Sequence, residues 1–128
     1  MAQHEISYRV YYEDTDAGGV VYHANYLRFA ERARTEWLRE LGFNQSGLDV
    51  LFVVRRVEID YLAPARLDHV LTIKTSLQNI SRASITLEQD FYSDGKLMAK
   101  AIVVIVCVGR KELRPVSIPD EIRNKMTA

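Results

Sequence analysis

Apolar and polar positions first repeat with a period of two. Over residues 6–12, β-branched and aromatic side chains (Ile6, Tyr8, Val10, Tyr12) alternate loosely with Ser7, Arg9 and Tyr11, which predicts a strand. From Asn25 the period changes. Tyr26, Phe29, Ala30, Ala33, Trp37 and Leu41 recur at steps of three and four, and Arg28, Glu31, Arg32, Arg34, Glu36 and Arg39 take the intervening places. That spacing predicts an amphipathic helix of about four turns. Gly42 follows the last apolar position, where a left-handed residue commonly ends a helix, and Phe43 is placed to supply the accompanying apolar contact.

Period two then returns. Residues 50–61 are rich in Val, Ile and Phe and stop short of Pro64, predicting a strand whose charged centre, Arg55, Arg56 and Glu58, is partly exposed. Over residues 67–77, Leu67, His69, Leu71, Ile73, Thr75 and Leu77 form one face. Ala83, Ile85, Leu87, Gln89 and Phe91 repeat the pattern against Ser84, Thr86, Glu88, Asp90 and Tyr92. These are expected to be antiparallel neighbours joined through residues 79–82. Asp94-Gly95 predicts a type I′ hairpin, because that turn needs positive φ at both central residues. The final strand, over residues 97–109, is apolar on both faces and is expected inside the sheet. Pro115 and Pro119 bracket a link to a short helix over residues 120–125.

The layout is α+β, an antiparallel sheet with one long helix to wrap. One helix cannot cover both sheet faces, so the apolar outer side of the last strand predicts burial against a second copy, most simply in a two-fold dimer. With 128 residues, the chain is expected to be a single domain, 1–128. Lys+Arg and Asp+Glu number 17 each, so the basic excess of a dedicated nucleic-acid binder is missing. Cys107 lies in an apolar run and reads as a small buried hydrophobe in a reducing compartment. The first residues lack a signal-peptide pattern, and no apolar run reaches the roughly 18 residues of a membrane span, so a cytoplasmic location without stable membrane insertion is expected.

Residues 12–26 are the chemically loaded stretch: Tyr12-Glu13-Asp14-Thr15-Asp16-Ala17-Gly18-Gly19-Val20-Val21-Tyr22-His23-Ala24-Asn25-Tyr26. An acidic turn, paired glycines and a helix start in succession can set a carboxylate beside unpaired backbone N–H donors. A calcium loop counted from Asp14 would need an oxygen ligand where Gly18 stands and a Glu where Asn25 stands. One cysteine and three scattered histidines give no zinc spacing. No metal site is expected. An aspartyl phosphatase starting from Asp-x-Asp needs a larger parallel domain.

The same stretch, with the helix Leu27-Arg28-Phe29-Ala30-Glu31-Arg32-Ala33-Arg34 behind it, resembles the hotdog-fold acyl-CoA thioesterases of the 4-hydroxybenzoyl-CoA thioesterase superfamily, and within them the tol-pal-associated, YbgC-type branch. The resemblance covers nearly the whole chain. It implies a hotdog fold, a five-stranded antiparallel sheet around one long central helix. It also implies hydrolysis of an acyl-CoA thioester without cofactor, at a site between protomers of a homodimer or of a tetramer built from dimers. It leaves open whether CoA or an acyl carrier protein presents the acyl group. This branch is linked to phospholipid metabolism and the Tol-Pal envelope system.

Thioester hydrolysis needs a group that delivers water or attacks the carbonyl, and donors for the resulting oxyanion. By the resemblance the first is Asp16, as general base or nucleophile. The backbone amide of His23 at the helix start is the candidate oxyanion donor, and the His23 side chain positions the thioester or moves a proton to the departing thiolate. Gly18 and Gly19 allow a sharp turn and close approach to a ligand. Substrate contact is expected along Gly19, Val20, Tyr22 and Tyr26, although aromatic residues at a helix start also serve as core. Leu51, Phe52 and Val53 can shape an acyl channel. Asp14 reads as a turn cap, and His4 and His69 as structural. Arg55, Arg56 and Arg82 read as solvated surface before they read as contacts for CoA phosphates. Two rivals stand: a non-catalytic acyl-binding or scaffolding module, and a hotdog (R)-enoyl-CoA hydratase. The latter's motif sets Asp and His five apart around Asn-Pro, whereas Asp16 and His23 are seven apart with glycines between.

Overall fold

The computed structural model describes residues 3–128. Strand β1 (Gln3–Arg9) is followed by helix α1 (Asn25–Glu40), then by β2 (Val50–Tyr61), β3 (Val70–Ile80), β4 (Ser84–Ser93) and β5 (Lys96–Gly109), and by helix α2 (Asp120–Thr127). The five strands form one antiparallel sheet in the order β1-β3-β4-β5-β2, so β5 is interior and β2 is an edge.

The sheet wraps α1 because one stripe of the helix and one face of the strands are apolar together. Phe29, Ala30, Ala33 and Trp37 of α1 are buried in one cluster with Leu71, Ile73, Leu87, Phe91 and Val103. Fully burying a large apolar side chain contributes about 1.5–3 kcal/mol. Ala30 and Ala33, 2% and 0% exposed, leave room for the helix backbone to lie close to the strands. The alternation of β4 is complete, every second residue from Ile85 being buried. At the C-terminal end of α1, Phe43 N–H donates to the Leu38 carbonyl and Gly42 N–H to that of Arg39, with Gly42 at φ +99°. This is the glycine-dependent helix stop expected from the sequence. Asp94 and Gly95 both have positive φ, 50° and 78°, as the hairpin turn requires.

Several boundaries move, among them the start of β1, at Gln3 and not residue 6, and the end of α2, at Thr127 and not residue 125. β1 ends at Arg9 rather than at Tyr12, because the Tyr11 N–H is taken by the Asp14 carboxylate and residues Tyr12–Asp14 coil into a single 3-10 turn. β3 runs over Val70–Ile80, not residues 67–77: Asp68 sits at φ 71°, which places Leu67 and His69 in a turn, and a bulge between Leu77 and Asn79 carries the pairing on to Ile80. The chain also covers part of β5 itself. Val116 N–H donates to the Cys107 carbonyl, and Ile118, Ile122 and Met126 join the core cluster at that end. Ile102 and Val104, on the opposite face of β5, remain half-buried.

Candidate active site

Between β1 and α1 the chain makes a tight loop whose bonds centre on Asp16. Its N–H donates to the Val20 carbonyl at 2.9 Å, its carbonyl accepts from Gly19 N–H at 3.0 Å, and its Oδ1 accepts from Gly18 N–H at 2.8 Å. Short Asp side chains favour turns in this way. Gly19 takes φ +78°, a left-handed conformation that costs other residues about 1–2 kcal/mol. The loop is fastened from outside, since Val21 N–H donates to the Ala65 carbonyl at 2.8 Å and Val20 bridges to Arg66.

Asp14 caps the turn through one carboxylate oxygen and its carbonyl. Its Oδ2 accepts from Tyr11 N–H at 2.8 Å, and its carbonyl accepts from Tyr22 N–H and from Asn25 Nδ2 at 3.0 and 2.8 Å. Each acid of the motif thus commits one carboxylate oxygen to a backbone N–H and keeps the other, Oδ1 of Asp14 and Oδ2 of Asp16, free of any protein donor among the described residues; what divides them is place, since Asp16 and not Asp14 lines the cleft at the head of α1.

At the opening of α1, Asn25 N–H donates to the Tyr22 carbonyl and Leu27 N–H to that of Ala24. Among the described residues, the N–H groups of His23 and Ala24 donate to no protein acceptor. The cap residue Ala24 offers no side-chain bond, and the first turn holds no acid. The positive end of the helix dipole is therefore left uncompensated, a setting that favours an anion.

Asp16, Val20, His23 and Tyr26 line one open cleft of 330 Å³. Its other wall comes from Tyr61, the last residue of β2, and from Leu62, Ala63 and Pro64 beyond it. Two residues singled out from the sequence lie outside this lining. Gly19 stands at the loop tip, and Tyr22 is 45% exposed with its ring 4.5 Å from that of His23. Tyr26 is buried and packs edge-on against Tyr61 and Phe91, with centroids 5.3 and 5.2 Å away. Burial pushes the Tyr26 and Tyr61 hydroxyls above their ordinary pKa of 10.0, so both remain donors at neutral pH. Tyr61 was not visible as a site residue in the sequence; its one signal is an aromatic hydroxyl at a strand end before Pro64.

A second cavity of 480 Å³ runs between α1 and β2, lined in part by Phe52 and Val53 but not by Leu51. His4 stacks on Trp37 and lies 3.6 Å from Glu40, and His69 accepts from Arg66 N–H, so both are built into the scaffold. Among the described residues, no three side chains of metal-binding type gather at one point, and no helix is long and apolar enough to cross a membrane.

The sheet curled round one helix, with a carboxylate and a bare helix opening in the same cleft, defines a hotdog-fold protein. The chain belongs to the thioesterase-like superfamily, whose family model matches residues 10–126. It is 46% identical over 119 residues to the acyl-CoA thioesterase YbgC of Haemophilus influenzae, covering 90% of this chain and 88% of that one. It is 47% identical over 118 residues to the acyl-CoA thioester hydrolase YbgC of Escherichia coli O6:H1, covering 89% and 88%. The crystal structure of a probable thioesterase from Bartonella henselae superposes with a TM-score of 0.87 at 40% identity, covering 92% of this chain and all of that one.

Proposed function

We propose that this protein is an acyl-CoA thioesterase that cleaves an acyl thioester to the free acid and the thiol, with residues 1–128 acting as one catalytic domain. The observation that carries the reading is the shared cleft of Asp16 and the unpartnered His23 amide at the head of α1. The YbgC relatives support the substrate class. The free Oδ2 of Asp16 either takes a proton from water as it adds to the carbonyl carbon or attacks that carbon itself. The His23 N–H, with the helix dipole behind it, stabilises the oxyanion; one such donor is typically worth about 2.7–4 kcal/mol of barrier. When the C–S bond breaks, the thiolate takes up a proton, and the exposed His23 imidazole stands where it can supply one.

Gly18 holding Oδ1 makes Asp16→Asn a clean test, because the amide oxygen keeps that bond while the charge is lost. We expect thiol release from an acyl-CoA to fall by about 10²–10⁴ with the fold intact. Wild-type protein that binds acyl-CoA but releases no thiol is an acyl-binding module instead. Loss of enoyl-CoA without thiol release marks a hydratase.

The open side of the cleft supports a site completed by a second copy. Edge strand β2 exposes Val53 and Val54 (41% and 49%), an apolar stretch of sheet edge that a second chain can cover, next to the charged Arg55 and Arg56. We read the working unit as a homodimer or a pair of dimers in the cytoplasm, acting on CoA or acyl-carrier-protein thioesters. Cell fractionation and a comparison of the two carriers at equal acyl chain check those two points.

A further inference from the structure

The larger cavity, along the flank of α1, adjoins the Asp16 cleft at one residue. Tyr26 lines both spaces. An acyl group whose carbonyl sits beside Asp16 and whose chain passes the Tyr26 ring enters a 480 Å³ cavity walled by residues such as Phe52, Val57, Phe91 and Val103. A saturated chain would need nothing else from that wall.

The wall nevertheless contains two charged side chains, Arg34 and, one turn earlier on the helix, the exposed Glu31, which forms no ion pair with it. Arg34 Nη1 donates to Oε1 of Gln89 at 3.0 Å. Gln89 is 0% exposed, and its amide nitrogen donates to the Ala30 carbonyl at 3.0 Å and to Thr75 Oγ1 at 3.1 Å. A buried amide is costly unless all its bonds are made. Here they are made, and the one oxygen left over is spent on orienting the guanidinium. Among the described residues Arg34 forms no ion pair, and Gln89 is the one acceptor it meets. Burial lowers its pKa from the ordinary value, an effect that Glu31, one turn earlier on the helix, partly offsets. A desolvated, fixed guanidinium with unused donors is suited to an oxyanion, which it can grip with two parallel bonds.

We propose that Arg34 determines acyl specificity by binding a carboxylate at the far end of the acyl chain. The substrates so selected are thioesters of dicarboxylic acids. This rests on the thioesterase reading above. Tyr26 and Arg34 are eight residues apart on α1, about 12 Å along the axis. A zigzag carbon chain with bonds of about 1.5 Å covers that distance in about ten bonds.

The test uses the full-length protein and two CoA thioesters of equal length, decanoyl-CoA and its ω-carboxy counterpart, with thiol release as the readout. Wild type is expected to favour the carboxy substrate by about tenfold in kcat/KM, the value of a charge-assisted bond. Arg34→Met, close in shape but uncharged, is expected to abolish that preference, and Arg34→Lys to keep part of it. Circular dichroism and thermal melting report whether the variants fold. Should Arg34→Met fail to fold, the wild-type ratio and the Lys variant decide. Thiol release with no wild-type preference, or with a preference that Arg34→Met leaves intact, overturns this inference and spares the thioesterase reading. Equal slowing of both substrates with a change in oligomer mass assigns Arg34 to contact with a second copy and also overturns it. No release from any acyl-CoA overturns the thioesterase reading itself.

Discussion

The hydroxyl of Tyr61 donates to the backbone carbonyl of His23 at 2.9 Å, joining the last residue of β2 to the residue whose amide opens α1. The edge strand thereby holds the 23–24 peptide, the neighbour of the peptide that carries the His23 N–H, and so steadies the helix start on which the proposed oxyanion contact depends. Tyr61→Phe is expected to lower kcat by about 3- to 10-fold, the effect of one ordinary hydrogen bond. KM and melting temperature should change less, because the ring is 47% exposed and stays in place. Steady-state kinetics beside a melting curve separates these effects.

The two glycines of the loop should fail in different ways. A Cβ on Gly19 meets no atom within 4 Å but is forced into φ +78°, so Gly19→Ala is expected to cost about 1–2 kcal/mol of stability. A Cβ on Gly18 lies 3.2 Å from Asp16 Oδ1. Gly18→Ala should therefore displace the carboxylate and slow turnover more than it lowers stability. Denaturant unfolding and kcat measured on both variants give the comparison, and identical profiles would count against it.

Gln89→Leu removes an amide that satisfies Thr75, the Ala30 carbonyl and Arg34. Each buried partner left bare costs about 1–3 kcal/mol, so a loss of at least about 2 kcal/mol is expected in urea unfolding. A neutral result would mean that water replaces the amide.

Asp90 gives a pH dependence with a definite sign. Burial, followed by the charge of Glu88, raises its carboxyl from 3.8 to about 6, while Lys100 and Lys74 on the flanking strands oppose the shift. Its Oδ1 is buried without a partner. An acid raised on folding stabilises the native state through its protonated form. That contribution is complete below pH 3.8 and is lost as pH rises through about 6. Asp90→Asn should match wild type near pH 4 and exceed it at pH 8. One pKa unit is about 1.4 kcal/mol, but much of the group is in water, so a gain of about 1 kcal/mol is expected. Stability curves at the two pH values check both sign and size.

Lysines at Val53 and Val54 would place charge on the exposed edge of β2, a common protection against pairing. The double variant is expected to sediment as a monomer; because Val53 and Val54 also line the 480 Å³ cavity, sedimentation and not thiol release is the readout. A mass unchanged from wild type would place the subunit contact elsewhere.

Periodicity made α1, its glycine stop, the 94–95 hairpin and the interior position of β5 legible, because each depends on local spacing and on burial of one face. The ends of β1 and β3 were not legible. The Tyr11 amide is claimed by a side chain three residues on, and Asp68 turns left-handed, neither of which a hydrophobic pattern records. In the candidate site, the hydrogen bond from Tyr11 fits the turn-cap role read for Asp14, and Asp16, singled out by motif resemblance, lies in the lining of the cleft. Tyr61 and Arg34 were missed for one reason. Each acquires its place from an element distant in sequence, the first from the helix start and the second from Gln89 on β4.

Helix α1 spans the head of the cleft and the flank of the large cavity as one unbroken rod of 16 residues. Because that rod is unbroken, the axial offset between positions 26 and 34 is fixed, and the bond to Gln89 limits how far the Arg34 guanidinium swings from it. Moving the cation to another position of α1 would change that offset in increments of the helical rise, so chain-length preference is expected to shift in steps rather than as a continuum.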